Sequence, residues 1–187
     1  MALLTQIHRQ LSNLLRSMTA TLSPDVKQLG LLGALHQVVD RDLAGSLEDI
    51  DWQVEPAVEA CIQTLLPFES EVLFFAAREA LRNAARYGHL ENKATLKVVI
   101  RATCIDGLSL IIEDNGGAMG TPAEATADAD QMSSGQGLAL HSALMAVMGG
   151  SLSFEHETGQ FTRVTLSLPA RPLYYQSSVV YRNEVLH

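Results

Sequence analysis

The sequence predicts an α+β fold, a two-layer sandwich in which helices cover one face of a mainly antiparallel sheet. Three observations predict it. Alternating apolar residues mark strands that come in consecutive pairs, a long half-apolar helix follows the first strand, and a purely helical segment precedes them all. With 47% hydrophobic and 18% charged residues, the 187-residue chain can also build a packed core.

Residues 1–45 form the helical segment. Apolar side chains recur there every three or four residues, the stripe of a helix that packs against a partner helix. Two heptads are too short to be stable alone, so we expect them to belong to a longer bundle. A second helix is expected at about Leu31–Leu43, closing at Gly45. The stripe consists of Leu4, Ile7, Leu11, Leu14 and Met18.

Residues 46–170 follow as one α+β domain, and residues 171–187 as a C-terminal tail. Asp106-Gly107 between two alternating segments indicates a hairpin. The stretch from Asp114 to Gly137 lacks apolar periodicity and is predicted to be a long loop. The predicted elements are strand Ile50–Glu55, helix Glu69–Tyr87, strands Thr95–Thr103 and Leu108–Glu113, helix Leu138–Met148, and strands Ser151–Glu157 and Thr162–Leu168.

Charge and cysteine content exclude several classes of protein. The net charge of −8 disfavours a nucleic-acid duplex or an anionic membrane as a partner. No apolar run approaches the roughly 18 residues of a membrane span. Cys61 and Cys104 are far apart and form no metal-binding pair, so we expect two buried free thiols in a reducing cytoplasm.

One helix carries a set of polar side chains suited to binding. Glu79 and Asn83 lie one turn apart on the predicted long helix, and Arg86 falls on the same face one turn later. A carboxylate, an amide and a guanidinium on one side of a packed helix can together hold a cation, a water and a phosphate. The alternative is a solvated helix edge.

Two glycine-rich segments could complete a nucleotide site. Asp114 ends an apolar strand and precedes Gly116, so its carboxylate can accept a hydrogen bond from an exocyclic amine while the backbone approaches a flat ring. Gly135 and Gly137 open the helix at Leu138, and a helix N-terminus offers unpaired N–H groups to phosphate. Each segment alone is also typical of an ordinary turn or cap. Their order along one chain favours a common site.

Together these segments resemble the ATP-binding catalytic domain of bacterial sensor histidine kinases, within the superfamily shared with gyrase, Hsp90 and MutL ATPases. Residues 78–88 (REALRNAARYG) resemble the N box, and residues 111–120 (IIEDNGGAMG) the G1 box. Residues 133–169 resemble the G2 box and the closing strands. The spacing is similar to that of kinases paired with response regulators that carry helix-turn-helix output domains. The resemblance covers about residues 50–169 and implies the Bergerat ATP-binding fold.

The resemblance implies ATP and Mg²⁺ as cofactors and a role for each site residue. Asn83 would ligate Mg²⁺, and Glu79 would orient or deprotonate the attacking imidazole. Asp114 would hydrogen-bond the adenine amino group. The other implied ATP-binding residues are Arg86, Tyr87, Gly116, Gly135, Gly137, Leu138 and Thr162.

The resemblance also implies partners. Residues 1–45 would be the end of a dimerisation bundle and its linker, in a protein that is a homodimer at full length and acts with a response regulator. The phosphoacceptor histidine of the family lies further upstream, so His8 is interpreted as a polar bundle position. The chain would then be a fragment or a truncated relative, acting on a histidine-bearing dimerisation domain of the same kinase. Neither nucleic-acid binding nor membrane contact is expected for this segment.

Two departures from the family pattern keep other functions open. Ala118 stands where the G1 box has a second glycine, and Phe161 where a glycine precedes the closing threonine. One alternative is therefore a non-catalytic module that dimerises or docks a regulator. Another is a serine kinase of the anti-sigma type, which shares the same boxes, although the helical N-terminus speaks against it.

Overall fold

A computed structural model of the chain describes residues 23–47, 49–87, 96–116, 132–157 and 159–170. The strands are β1 (Asp49–Val54), β2 (Lys97–Cys104), β3 (Gly107–Asp114), β4 (Ser151–Glu157) and β5 (Phe161–Pro169), and the α-helices are α1 (Pro24–Gln37), α2 (Ala57–Gln63), α3 (Pro67–Tyr87) and α4 (Met132–Val147). The strands form one sheet in the order β1-β2-β3-β5-β4. Strand β1 is parallel to β2, and the other neighbouring pairs are antiparallel. The predicted α+β fold with a mainly antiparallel sheet is confirmed.

Several predictions concern residues outside these ranges. They are the leucine stripe of residues 4–18, the interpretation of His8, the effect of Ala118 and the tail 171–187. Within the ranges that the structure does describe, no helix is both long and apolar enough to cross a membrane.

One face of the sheet is buried beneath the helices. In β3 and β5 every second residue is buried, because alternate side chains of a strand point to opposite faces. The opposite face is polar, and there the Arg163 guanidinium binds the carboxylates of Glu113 at 2.6 Å and Glu155 at 3.1 Å. The buried positions are Leu108, Leu110, Ile112 and Asp114 in β3, and Thr162, Val164, Leu166 and Leu168 in β5.

Helix α1 begins earlier and ends earlier than predicted. It starts at Pro24, a residue suited to the first helical position because it needs no hydrogen-bond acceptor there. Gly30 has a φ of 71° and kinks the helix, and this break hides the first turn from a search for apolar periodicity. A π-helical segment, Val38–Asp42, continues α1. The inward side chains were predicted correctly, since Leu31, Leu35, Val38 and Val39 are all buried.

Helix α2 was missed, and with it a covalent contact. Its seven residues are too few for a helical pattern to stand out. Cys61 on α2 and Cys104 at the end of β2 form a disulfide, with Cα atoms 6.4 Å apart. The prediction of two free thiols is therefore wrong. The disulfide forms because α2 packs beside β2. The two cysteines are 43 residues apart in sequence, so no local pattern reveals this contact.

Helix α4 is longer than predicted at its N-terminus. It begins at Met132, so Gly135 and Gly137 lie inside its first turns and not in a loop before it. The prediction placed the start at Leu138 because residues 114–137 lack apolar periodicity. Glycine also costs a helix about 1 kcal/mol per residue relative to alanine. In the folded chain this local penalty is outweighed.

Gly107, at the start of the central strand β3, is a position where an added methyl group should disrupt the pairing of β3 with β5. Its φ is +132°, and a Cβ there would overlap the backbone carbonyl of Leu168 on β5. We expect Gly107→Ala to lower the free energy of unfolding by about 3 kcal/mol or more. Gly149→Ala is the matched control, because its φ is +77° but nothing lies within 4 Å of the added Cβ. A loss of about 1–2 kcal/mol is expected there, and equal losses in urea unfolding would contradict the packing argument.

Candidate functional site

The directions of α3 and β3 bring Asn83 and Asp114 toward the same end of the sheet. Glu69 near the start of α3, Met148 just after α4 and Gly107 at the start of β3 line one cavity. Asn83 is 14 residues beyond Glu69, or about 21 Å along the helix. Asp114 is seven residues beyond Gly107, or about 24 Å along the strand. Both therefore lie toward the opposite end, where α4 begins.

Asp114 is the carboxylate that strand alternation turns toward the helices. It is the last residue of β3 and is 8% exposed. Its Oδ1 accepts a hydrogen bond from the Gly116 N–H at 2.9 Å. The adjacent Glu113 points to the polar face and binds Arg163 there. Asn115 extends the sheet, because its Oδ1 accepts the Lys97 N–H at 2.9 Å.

Thr162 and His156 continue the row of polar groups that Asp114 begins. In the antiparallel register Asp114 stands opposite Thr162 on β5, and Thr162 stands opposite His156 on β4. Thr162 is 7% exposed, and its Oγ1 lies 3.4 Å from His156 Nδ1. The structure thus brings Asp114, Gly116 and Thr162 together. His156 was not predicted, and its position two residues from Phe154 in an alternating strand was the available signal.

Asn83 provides a buried amide on α3. It is 8% exposed, and among the described residues its Nδ2 has no hydrogen-bond partner. Its neighbours on α3, Ala80 and Ala84, are buried as well. Glu79, one turn earlier, is half-buried. An amide that is buried and incompletely bonded in a polar region favours a ligand that completes its bonding.

Arg86 and Tyr87 interact with each other at the C-terminal end of α3. Arg86 is exposed, and its guanidinium carbon lies 5.4 Å from the centroid of the Tyr87 ring. Such a contact between a cation and an aromatic face keeps the guanidinium close to the helix end. An arginine held there remains accessible to an anion from solvent.

His141 on α4 is a second residue that sequence analysis missed. It follows the buried Leu138 by one turn, and its Nδ1 is buried without a partner among the residues with a described position. Burial lowers the pKa of His141, so its imidazole is held neutral near pH 7. The available signal was the position of His141, three residues after Leu138, the apolar residue that follows Gly135 and Gly137.

The described residues also form a surface cavity of about 440 Å³ at the other end of the sheet. Asp106, Gly150 and Ser167 are among the residues that line it. Among the lining residues that the structure describes there is no predicted ATP-binding residue. We assign no role in nucleotide binding to this cavity.

Comparison with known proteins identifies the family. Residues 69–172 match the model of the histidine kinase-, DNA gyrase B- and HSP90-like ATPases. That stretch is more than half of the chain and contains Asn83, Asp114 and Thr162. The chain belongs to this ATPase family. The ATPase domain matches no curated protein significantly in sequence.

Solved structures share the fold of the ATPase domain at low sequence identity. The histidine kinase domain of the blue-light activated histidine kinase EL346 from Erythrobacter litoralis is 18% identical, with a TM-score of 0.54 over 75% of this chain and 59% of that one. Histidine kinase AdeS from Acinetobacter baumannii is 16% identical, with a TM-score of 0.54 over 90% of this chain and 77% of that one. The chain therefore spans about three fifths of the EL346 domain. Identities this low support a common fold.

Phe161, one of the two departures from the family pattern, points away from the ATPase site. Alternation in β5 places it on the polar face together with Arg163, whose guanidinium carbon lies 4.6 Å from the Phe161 ring centroid. Thr162 points the other way, toward Asp114. The Phe161 ring therefore does not occupy the face that carries Asp114 and Thr162.

The described residues of the ATPase domain hold no group of three histidine, cysteine, aspartate or glutamate side chains that could bind a metal ion. Mg²⁺ needs no such group, since it is commonly held by one or two protein oxygens, water and the phosphates of a nucleotide. The amide oxygen of Asn83 is a ligand of this kind. The donor set therefore fits a magnesium–nucleotide complex.

Proposed function

We propose that this ATPase domain is the catalytic domain of a two-component sensor histidine kinase, which transfers the γ-phosphoryl group of ATP to a histidine on a dimerisation domain. The observation that carries the proposal is the placement of Asp114 and Thr162 on one buried face, at the end of the sheet toward which α3 carries Asn83. The fold shared with the EL346 and AdeS histidine kinases supports it.

The base end of the proposed site selects adenine. Asp114 accepts a hydrogen bond from the adenine amino group, with the Gly116 backbone beside the ring and Thr162 supporting the carboxylate. A carboxylate that already accepts the Gly116 N–H is held in place before the base arrives, so little side-chain entropy is lost on binding. An amino group is a donor and a guanine carbonyl is not, which favours ATP over GTP.

The phosphate end of the proposed site neutralises the negative charge of the nucleotide. Asn83 provides an oxygen ligand for Mg²⁺, which offsets the negative charge of the phosphates, and Arg86 beside Tyr87 contacts phosphate. Gly135, Gly137 and Leu138 lie in the first turns of α4, so backbone at the helix N-terminus lies at this end of the domain. Neutral His141 adds no charge there.

Phosphoryl transfer needs a second domain, which carries the substrate histidine. A nitrogen of the substrate imidazole bonds to the γ-phosphorus while the bond from that phosphorus to the bridging oxygen breaks, and ADP leaves. Glu79 orients the imidazole and accepts its proton. Catalysis of this kind depends on positioning and charge, with no covalent enzyme intermediate. The proposed partners are the histidine-bearing dimerisation domain, in a full-length homodimer, and a response regulator, and we place the domain in the cytoplasm, where ATP is available.

The decisive experiment supplies a histidine-bearing helical bundle separately, with radiolabelled ATP and Mg²⁺. We expect acid-labile, base-stable phosphate on the bundle, and Glu79→Gln should lower the transfer rate about 100-fold or more while ATP affinity stays within twofold. Glu59→Gln, on the exposed side of α2, is the matched control and should leave the rate unchanged.

Two results would overturn the proposal. Saturable ATP binding with no label on any histidine would favour a non-catalytic module, which the departure at Ala118 suggests. Label on a serine of a protein substrate would favour the anti-sigma type of kinase. A normal rate in Glu79→Gln would remove Glu79 from the proton-transfer role.

A further inference from the structure

Glu71 is a buried carboxylate that the proposed function does not use. It lies in the second turn of α3 and is 1% exposed. Its Oε1 accepts a hydrogen bond from the backbone N–H of Ser23, 48 residues away in sequence. Ser23 directly precedes α1 and joins it to residues 1–22. This contact therefore ties the ATPase domain to the point where the N-terminal segment enters it.

The other carboxylate oxygen is left without compensation. Glu71 Oε2 is buried and has no hydrogen-bond partner among the described residues. A buried carboxylate with a single donor is poorly solvated, and the loss of water favours its neutral form. Burial accordingly raises the pKa of Glu71 above 4.5, and the Ser23 hydrogen bond opposes that rise only in part.

A cavity beside Glu71 offers space into which its carboxyl group can turn. The cavity has a volume of about 350 Å³, enough for roughly ten water molecules at about 30 Å³ each. It lies between α1 and the start of α3. The residues that line it are Val26, Lys27, Leu65, Pro67, Ser70 and Glu71.

Charged groups around the cavity act in opposite directions on an ionised Glu71. Lys27, on α1, lines the cavity and favours the charged form. Asp25, in the first turn of α1, and Glu69, which accepts the Leu66 N–H at the start of α3, oppose it. The described part of the chain shows no ion pair between Glu71 and Lys27 within 4.0 Å, so ionisation is best accommodated by movement toward the cavity.

The far half of α1 is anchored independently of Glu71. The His36 ring stacks on the Trp52 ring of β1 with centroids 3.6 Å apart, and Asp42 pairs with Arg78 of α3 at 3.6 Å. The kink at Gly30 separates this anchored half from the turn that begins at Ser23. The first turn itself stays linked to the last, because Gln37 Nε2 donates a hydrogen bond to Asp25 Oδ1 at 3.3 Å, so only Ser23, which precedes the helix, is free to move.

We propose that Glu71 is a proton-controlled latch, which holds the Ser23 N–H while its carboxyl group is protonated and releases Ser23 when the group ionises and turns into the cavity. The latch would set the position at which the N-terminal segment joins the ATPase domain. Any effect of the latch on phosphotransfer rests on the proposed function, whereas the latch itself does not.

The sign of the pH dependence follows from the raised pKa. A carboxyl group whose pKa is higher in the folded chain than in the unfolded chain stabilises the fold most below the unfolded value of 4.5. This contribution is lost as the pH rises through the folded value. Closure of the latch should follow the same direction.

Nuclear magnetic resonance of the ¹⁵N-labelled chain tests the latch directly. Between pH 4 and 8 we expect the Ser23 amide proton to titrate with a midpoint above 4.5, and its protection from exchange to fall at least tenfold across that midpoint. Glu71→Gln should abolish the titration and keep the protection, because the amide oxygen still accepts the Ser23 N–H. Glu71→Ala should lose the protection at every pH.

The control is Glu59→Gln, on the exposed side of α2, in which the Ser23 titration should be unchanged. A Ser23 resonance that does not respond to pH in the unmodified chain would overturn the latch, as would a titration that persists in Glu71→Gln. A second measurement compares phosphotransfer in Glu71→Gln with its ATP affinity. If no histidine is phosphorylated by the unmodified chain, the proposed function fails, while the Ser23 titration still decides the latch.

Discussion

Asp114→Asn should weaken ATP binding by about 10- to 100-fold, which corresponds to the roughly 1.5–3 kcal/mol of a hydrogen bond to a charged group. The substitution removes the negative charge that accepts the adenine amino group in the proposed site, while keeping the size of the side chain. An asparagine oxygen can still accept the Gly116 N–H, which Asp114 binds at 2.9 Å, so the local backbone should be preserved. Titration with a fluorescent ATP analogue in the presence of Mg²⁺ measures the effect.

Base selectivity separates this explanation from a general loss of structure. Discrimination between ATP and GTP should shrink in Asp114→Asn, since an amide can donate to a guanine carbonyl as well as accept from adenine. Glu113→Gln is the matched control. It lies next in sequence but on the polar face, where Glu113 binds Arg163, so its ATP affinity should stay within twofold. Equal losses in both variants would contradict the assignment of Asp114 to the base end.

Reduction of the disulfide between Cys61 and Cys104 should lower the free energy of unfolding by about 4 kcal/mol, the loop-closure entropy expected for a loop of this length. The bond closes a loop of 43 residues. That loop contains all of α3, so the bond limits the unfolded chain around the helix that carries Glu79 and Asn83. Urea unfolding with and without dithiothreitol, followed by the fluorescence of Trp52, measures the change.

Serine substitution distinguishes the covalent bond from other effects of the reductant. Cys104→Ser should lose about as much stability as the reduced chain, and dithiothreitol should then have no further effect. Unchanged stability after reduction would mean that the bond contributes nothing beyond the packing of α2 beside β2. In a cytoplasm that keeps thiols reduced, the lower stability would be the operative one.

Local patterns predicted correctly where the candidate residues lie along their helix and strands. The helical spacing of Glu79, Asn83 and Arg86 placed them along α3, and the strand ends at Asp114 and Thr162 were predicted within one residue. The patterns were less reliable where a local preference opposes the final structure. Residues 132–137 lack apolar periodicity and include two glycines, which lower helix stability, and the start of α4 was placed at Leu138 and not at Met132.

The sequence by itself determined the fold class and the family and supplied the candidate site residues, because strand alternation, helical spacing and short motifs depend on residues a few positions apart. Only the tertiary structure decided that Cys61 meets Cys104, that Ser23 meets Glu71 and that His156 stands beside Thr162. The first two contacts join residues more than 40 positions apart. They depend on how the apolar faces of the helices and the sheet pack together, which no local spacing encodes.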